Sequence, residues 1–285
     1  MRRAGQTKRR IWTVEEGRAT RSNDLLAIEE PLEIQLQAGA TQRTLAVTMR
    51  TPGHDYELVA GFLYNEGVIA EKHDLTQMIY CVDGQVERQQ YNVLRARLAA
   101  PTLPSLPQLD RHFFTNSACG VCGRAMLDEL EARALPPLTE MEPVAPEVLA
   151  GLPAALRAAQ EGFAATGGLH AAALFDERGA LLALREDVGR HNALDKLVGW
   201  GVLNRRLPFS GKIIMVSGRA SYELLHKCRV AGAPILCAVS APSSLAVDLA
   251  ARFGITLIGF LRGSRFNLYT HPERLKISKN QPQRN

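Results

Sequence analysis

Lys212-Ile213-Ile214-Met215-Val216, Pro234-Ile235-Leu236-Cys237-Ala238-Val239 and Ile255-Thr256-Leu257-Ile258-Gly259-Phe260 are three short apolar runs, and what separates them decides the fold. Residues 222–230 and 244–253 fill the gaps, and both stretches have the length and composition of helices. Apolar strands joined through helices imply parallel crossovers, because a tight hairpin turn can only reverse the chain. Such a sheet is covered on both faces, which suits runs that lack polar alternation. Upstream, residues 170–175 and 180–184 flank the turn Asp176-Glu177-Arg178-Gly179 and predict a hairpin. Helices are expected at 147–160 and from about 191 to 200. An α/β domain over residues 147–285 follows.

The N-terminal part has a different rhythm. Leu32-Glu33-Ile34-Gln35-Leu36 alternates apolar and polar residues, the period of a half-buried strand. Gly39 marks a turn, and residues 44–49 read as the returning strand. Thr51-Pro52 predicts a helix start, with a capping hydroxyl before a proline at the first helical position. Tyr56, Val59, Ala60, Leu63 and Tyr64 give that helix one apolar face, and Asn65-Glu66-Gly67 ends it. Strands over 77–82 and 91–98 complete a small α+β domain across residues 21–105, one layer of helix on sheet.

The chain has 285 residues, 46% hydrophobic and 22% charged, ordinary values for a globular protein. Its net charge of +5 is unevenly spread. Five Lys or Arg fall in the first ten residues, and six lie in residues 262–285 against one acid. The rest carries more acidic than basic residues, so no nucleic-acid-binding face is expected. Residues 1–20 are expected to be a solvated basic tail, although Ile11-Trp12-Thr13-Val14 is a segment that can pair at a sheet edge. No apolar run reaches the ~18 residues of a membrane span. No signal-peptide core follows Met1-Arg2-Arg3-Ala4-Gly5, so a cytoplasmic protein is expected.

Two constellations carry chemistry. The first is Ser117-Ala118-Cys119-Gly120-Val121-Cys122-Gly123, set between proline clusters within residues 106–146. Two thiols at this spacing serve zinc binding, disulfide exchange or sulfur carriage. The second is a set of loops placed by the parallel strands at one carboxyl edge, where α/β sheets bind ligands. These are Ser217-Gly218-Arg219-Ala220-Ser221, Ser240-Ala241-Pro242-Ser243-Ser244 and Arg262-Gly263-Ser264-Arg265. Helix N-termini and arginine favour phosphate, although each serine taken alone is as well explained as a helix cap. Between the two lies Glu186-Asp187-Val188-Gly189-Arg190-His191-Asn192-Ala193-Leu194-Asp195-Lys196, the densest polar stretch. His191 and Asp195 share a helix face there, with structure or substrate positioning favoured over acid–base catalysis. Cys81, Cys228 and Cys237 sit in apolar contexts or on a helix and are expected to be inert, and His170 to be a core histidine.

Taken together, the cysteine loop, the 186–196 stretch, Ser217-Gly218-Arg219, Ser240-Ala241-Pro242 and residues 259–265 resemble, in order and spacing, the FdhD family. The resemblance covers nearly the whole chain after about residue 25. It implies a cytidine-deaminase-like, three-layer α/β domain joined to the smaller α+β domain, usually as a homodimer. It implies sulfur accepted as a persulfide from a cysteine desulfurase and delivered to the molybdenum bis(molybdopterin guanine dinucleotide) cofactor of formate dehydrogenase. The persulfide cysteine matches Cys119, with Cys122 beside it. The cofactor-binding segment matches Phe260, Leu261, Arg262, Gly263, Ser264 and Arg265, with GDP as a fragment ligand and no structural metal.

Three rivals are set aside on the residues. A zinc deaminase pairs His-x-Glu with Pro-Cys-x-x-Cys; here no proline precedes Cys119, and His170-Ala171-Ala172 lacks the glutamate. A structural zinc site needs four ligands, and no second pair completes the set. A thioredoxin-like site opens a helix after a strand, whereas this CxxC follows a proline-rich connection. A cofactor-binding chaperone that needs no Cys119 remains the alternative to a carrier.

Overall fold

The computed structural model describes residues 5–81, 91–104, 133 and 135–277. They form two compact units. One contains the described residues up to 104 with Gln160–Ala172 and Arg185–Leu207; the other contains those from 133 to Ala159, Ala173–Leu184 and the chain from Pro208. Residues 160–172 and 185–207, which the sequence groups with the α/β domain, thus cluster with the N-terminal residues.

The first unit is built on a four-stranded sheet, order β4-β3-β6-β5. Its strands are β3 (Glu30–Ala38), β4 (Thr41–Arg50), β5 (Leu75–Tyr80) and β6 (Val93–Leu98). Strands β3 and β4 pair antiparallel, as do β5 and β6, and β3 joins the two pairs by running parallel to β6. The alternation read in residues 32–36 is borne out: Leu32, Ile34 and Leu36 are buried, with Leu58, Val59 and Leu63 of α1 (Asp55–Asn65) in the same core. Thr51 does not cap that helix. His54 holds the N-cap position in the left-handed region and makes no side-chain cap. The threonine is occupied elsewhere, its Oγ1 accepting from Val188 N at 3.1 Å.

A second helix, α4 (Arg190–Leu203), packs on α1 through two glycines. A Cβ on Gly61 would lie 1.8 Å from the Asp195 carbonyl oxygen, and one on Gly199 would lie 1.7 Å from that of Glu57. The helix backbones are therefore in direct contact. Beside this crossing, Arg185 makes a two-bonded ion pair with Glu57. Burial pushes the Glu57 carboxyl up, but hydrogen bonds and charge from Arg185 and His54 outweigh it and leave the pKa at about 2. A depressed carboxylate contributes stability above its unfolded pKa and loses it as pH falls. Acid titration from about pH 4.5 to 2 should therefore remove at most about 3 kcal/mol through this group. Glu57→Gln should flatten that segment of the curve, and chemical denaturation at several pH values reads the effect.

The expected basic tail is corrected for its described part. Strands β1 (Gln6–Glu15) and β2 (Arg18–Ala27) pair antiparallel over ten residues each. Glu16 and Gly17, at φ 48° and 77°, supply the two positive-φ positions of a primed hairpin turn. High charge alone suggested disorder, but charge on a two-sided ribbon does not oppose pairing.

The second unit holds most of a six-stranded sheet, order β12-β11-β10-β9-β7-β8. Its strands are β7 (His170–Phe175), β8 (Leu181–Asp187), β9 (Ile213–Val216), β10 (Ile235–Ala238), β11 (Thr256–Arg262) and β12 (Arg265–Leu268). Strands β9, β10 and β11 are parallel, as expected. Every residue of β9 and β10 is buried, which requires cover on both faces. Helices α2 (Pro146–Ala159), α5 (Tyr222–Val230) and α6 (Ser244–Arg252) belong to the same unit; α5 lies beside α6, and both α2 and α6 pack on β11. Asp176 shapes the β7–β8 turn by accepting from Arg178 N and Ala180 N. The mixed α/β class expected from the sequence is the class observed. Among the described residues no helix is long and apolar enough to cross a membrane.

Candidate functional site

The three loops after β9, β10 and β11 emerge at one carboxyl edge because their strands are parallel. They form a continuous rim. Ala220 N donates to Ala241 O at 3.2 Å and Ser243 N to Ala220 O at 3.0 Å, which joins the first loop to the second. Phe260 N donates to Ser240 O at 3.1 Å, which joins the second to the third. Ser243 caps α6 through Ala246 N, so that serine has the structural role that any one of them could have had alone. Ser221 occupies the N-cap of α5 and makes no side-chain cap.

The third loop differs from a simple strand-to-loop exit. Residues 265–268 return as β12, with Arg262 opposite Arg265 and the turn at Gly263-Ser264. Gly263 has φ 55° and open space around it, so a side chain there would be strained by backbone conformation and not by crowding. The segment 260–265 is thus a hairpin tip. The sequence missed the returning strand because Arg265-Phe266-Asn267-Leu268 has only four residues and an alternation too short to separate from a loop. The tip presents Arg262, Gly263, Ser264 and Arg265 to solvent, while Leu261 is buried beneath it. Among the described residues no hydrogen bond or ion pair engages the side chain of Arg262 or Arg265.

Phe260 is the unusual member. Its φ is 53°, a left-handed conformation for an aromatic residue, yet its ring is 40% exposed. Such a conformation costs on the order of 1–3 kcal/mol and persists only where the surroundings impose it. The neighbouring Gly259 explains how. A Cβ there would meet Pro242 Cδ at 2.9 Å and Tyr269 Cε2 at 3.0 Å, so Pro242 and Tyr269 close directly onto the strand and the chain bulges outward at Phe260. Strain with outward exposure is a frequent mark of a ligand-facing position.

The 186–196 stretch belongs to the first unit and is a scaffold network. Asp187 is fully buried and accepts from Thr51 N at 3.1 Å, Gly189 N at 2.9 Å and Asn192 Nδ2 at 3.2 Å, with Lys196 Nζ 2.7 Å away. Lys196 also donates to the carbonyls of Thr51 and Glu186. Asp195 accepts from Asn65 Nδ2 at 2.7 Å, which ties α4 to α1. For Asp195 this is the structural one of the two roles, structure or substrate positioning, read for His191 and Asp195. What the sequence concealed are the partners, Thr51 and Asn65, about 130 residues distant in the chain. His170 is half-buried, and burial together with Arg190 holds its pKa below the ordinary value.

Cys119 and Cys122 lie outside the described residues, as do the nearby cationic residues Arg111, His112 and Arg124 and, except for Arg133, the segment Met126–Arg133, which the sequence reads as a short helix. The other three thiols are described. Cys228 and Cys237 are buried, as expected of packing residues. Burial drives the Cys228 thiol up to about 12 and that of Cys237 higher still, with Cys228 adding to the latter. Cys81 is only partly buried, its Sγ 3.8 Å from Gln35 Oε1, so it is less enclosed than its apolar neighbours in sequence imply.

The profile of the FdhD/NarQ family matches residues 27–276. The chain belongs to that family. A protein of Streptomyces coelicolor named sulfur carrier protein FdhD is 50% identical over 95% of both chains. One of the same name from Sulfurisphaera tokodaii is 48% identical over 89% of this chain and 92% of its own. A crystal structure from Desulfotalea psychrophila, of a proposed formate dehydrogenase accessory protein, superposes with a TM-score of 0.73 over 95% of this chain and 99% of that one. At 24% identity that likeness concerns the fold. The family profile ends at residue 276 and so includes the whole rim, but it begins at 27 and omits the β1–β2 hairpin.

Proposed function

We propose that this family member is a sulfur carrier in the maturation of formate dehydrogenase. It accepts sulfur from a cysteine desulfurase as a persulfide on Cys119 and passes it to the molybdenum bis(molybdopterin guanine dinucleotide) cofactor, working in the cytoplasm as a homodimer. The observation that supports this most is near-half identity, over almost the full chain, to proteins named sulfur carriers.

The chemistry is thiol–disulfide exchange in form. The Cys119 thiolate attacks the terminal sulfur of the donor's persulfide, the donor S–S bond breaks, and the donor cysteine departs as a thiolate. Cys119 is left as the persulfide, with no net oxidation. The nucleophile must be a thiolate and must be reachable by two partners in turn. Cys122 is near enough in sequence to share or release the sulfur, a role secondary to that of Cys119.

The cofactor is the cargo, and the rim suits it. A guanine dinucleotide brings phosphates and a flat base. Arg262 and Arg265 supply exposed guanidinium groups, the starts of α5 and α6 supply helix N-termini, and exposed Phe260 supplies an aromatic face. Leu261 and Gly263 hold the tip's shape, and Ser264 adds a hydroxyl. A charge-assisted arginine contact is worth about 1.5–3 kcal/mol. Arg262→Ala and Arg265→Ala should each weaken GDP binding by roughly tenfold to a hundredfold. The loss should shrink at high salt, where screening has already weakened the contact. Titration calorimetry with GDP measures this. Unchanged affinity in both variants would move the nucleotide site away from the tip.

A further inference from the structure

We propose that the β1–β2 hairpin is a docking arm for a protein partner with an acidic surface and an apolar centre. The arm lies outside the span matched by the family profile, and sulfur carriage as described above makes no use of it. It is a two-stranded sheet on its own, and between residues 8 and 26 only Ile11 and Ser22, which face each other across the ribbon, are not exposed. Two-stranded ribbons are marginally stable in water unless something packs on them. The short helix α3 (Glu161–Thr166) packs on part of β2, and the face that carries Trp12 is left open to solvent. Trp12 is 60% and Val14 65% exposed, and Leu25 is exposed on the same face.

Charge selects the partner. Successive residues of a strand face opposite sides, and directly paired residues share a side. On one face the pairs are Arg9 with Asp24 and Glu15 with Arg18, so each charge lies opposite its complement. On the other face Lys8, Arg10 and Arg21 accompany Trp12, Val14 and Leu25, and that face bears no carboxylate. The uncompensated cations are thus confined to the face that carries Trp12, Val14 and Leu25, whereas the opposite face pairs its charges and exposes Leu26. Aromatic and arginine anchors at the centre of a patch are the composition of protein interfaces. A nucleic acid is the poorer fit. The Arg21 guanidinium already covers the Trp12 ring at 4.7 Å, so that face of the indole is closed to a stacked base, and Val14 and Leu25 have nothing to offer a phosphate.

The test uses the full-length protein, a fluorescently labelled poly(Glu,Tyr) 4:1 copolymer as an acidic, aromatic polypeptide probe, and poly(U) as a nucleic-acid probe. Binding is followed by anisotropy at low and moderate salt. The wild type should bind the copolymer more tightly than poly(U). Arg10→Glu/Arg21→Glu should bind the copolymer at least tenfold more weakly, and Trp12→Ala should also lose affinity. Arg9→Glu/Arg18→Glu makes the same change in net charge on the opposite face and should retain most of the binding. Equal loss in both double variants would reduce the effect to net charge and overturn the proposal. So would unchanged binding throughout, preference for poly(U), or a concentration-dependent self-association that Trp12→Ala removes. All the substituted side chains are solvent-exposed, and circular dichroism checks that each variant retains the fold.

Discussion

Replacing Cys119 by alanine is expected to reduce persulfide loading by at least about 1,000-fold, the scale of losing a nucleophile, and to abolish support of formate dehydrogenase activity. The structure explains why neither buried cysteine should rescue the variant. Cys228 and Cys237 are fully buried, and burial lifts both thiols far above neutrality. At a pKa of about 12, roughly one Cys228 thiol in 100,000 is ionised at pH 7, and no sulfur donor can reach it. Cys81 is partly buried beside Gln35 on the sheet of the first unit, and it lacks the neighbouring thiol and glycines of the CxxC motif. Cys122→Ala should be milder than Cys119→Ala, because a second thiol assists a transfer without being obligatory for it. Intact-mass measurement after incubation with a cysteine desulfurase and cysteine, with and without reductant, reads an adduct of about 32 Da, the mass of one sulfur atom. A Cys119→Ala protein that still gains a reducible sulfur, or that still supports full dehydrogenase activity in a deletion strain, would end the carrier mechanism. Loading lost while dehydrogenase activity persists would leave the chaperone alternative in its place.

The second large effect concerns the fold. Gly61→Ala and Gly199→Ala should each destabilise the protein by several kcal/mol, about 3–5, or prevent folding. Helix propensity predicts the reverse, since alanine in a helix interior is favoured over glycine by about 1 kcal/mol. Contact decides the sign here. The added methyl would overlap a carbonyl oxygen of the facing helix, at 1.8 Å for Gly61 and 1.7 Å for Gly199. These atoms are backbone and cannot rotate away, so the helices must separate. Separation would pull Asp195 from Asn65 and Lys196 from Thr51. Gly151 is the control, since it lies in α2 and a Cβ added there would meet nothing within 4 Å. Gly151→Ala should stabilise by about 0.5–1 kcal/mol. Thermal and denaturant unfolding of the three variants compares them. Gly61→Ala and Gly199→Ala proteins as stable as Gly151→Ala would show that the two helices do not cross at these glycines.

Much of this molecule is legible locally. Three apolar runs with helices between them determine a parallel sheet, because a helix between two buried strands returns the chain in the same direction. Alternation over residues 32–36 determines which side of a strand is core. Parallel strands then bring residues 217–221, 240–244 and 260–265 to one edge without any knowledge of contacts, and the CxxC motif draws attention to Cys119 by chemistry alone. What required the tertiary structure shares one physical cause: its energy comes from partners remote in the chain. Thr51 looks like a helix cap until Val188 and Lys196, more than 130 residues away, take its hydroxyl and carbonyl. Asp187 and Asp195 lie in a stretch that could equally position a substrate until Thr51 and Asn65 complete their hydrogen bonds. Gly61 and Gly199 look like weak points in two helices, and only the crossing shows that a missing side chain is what each site requires. The strain at Phe260 depends on Pro242 and Tyr269 closing over Gly259. The N-terminal ribbon was hidden for a different reason: its pairing is local, but five cations in ten residues mask a two-residue turn that a less charged sequence would have displayed.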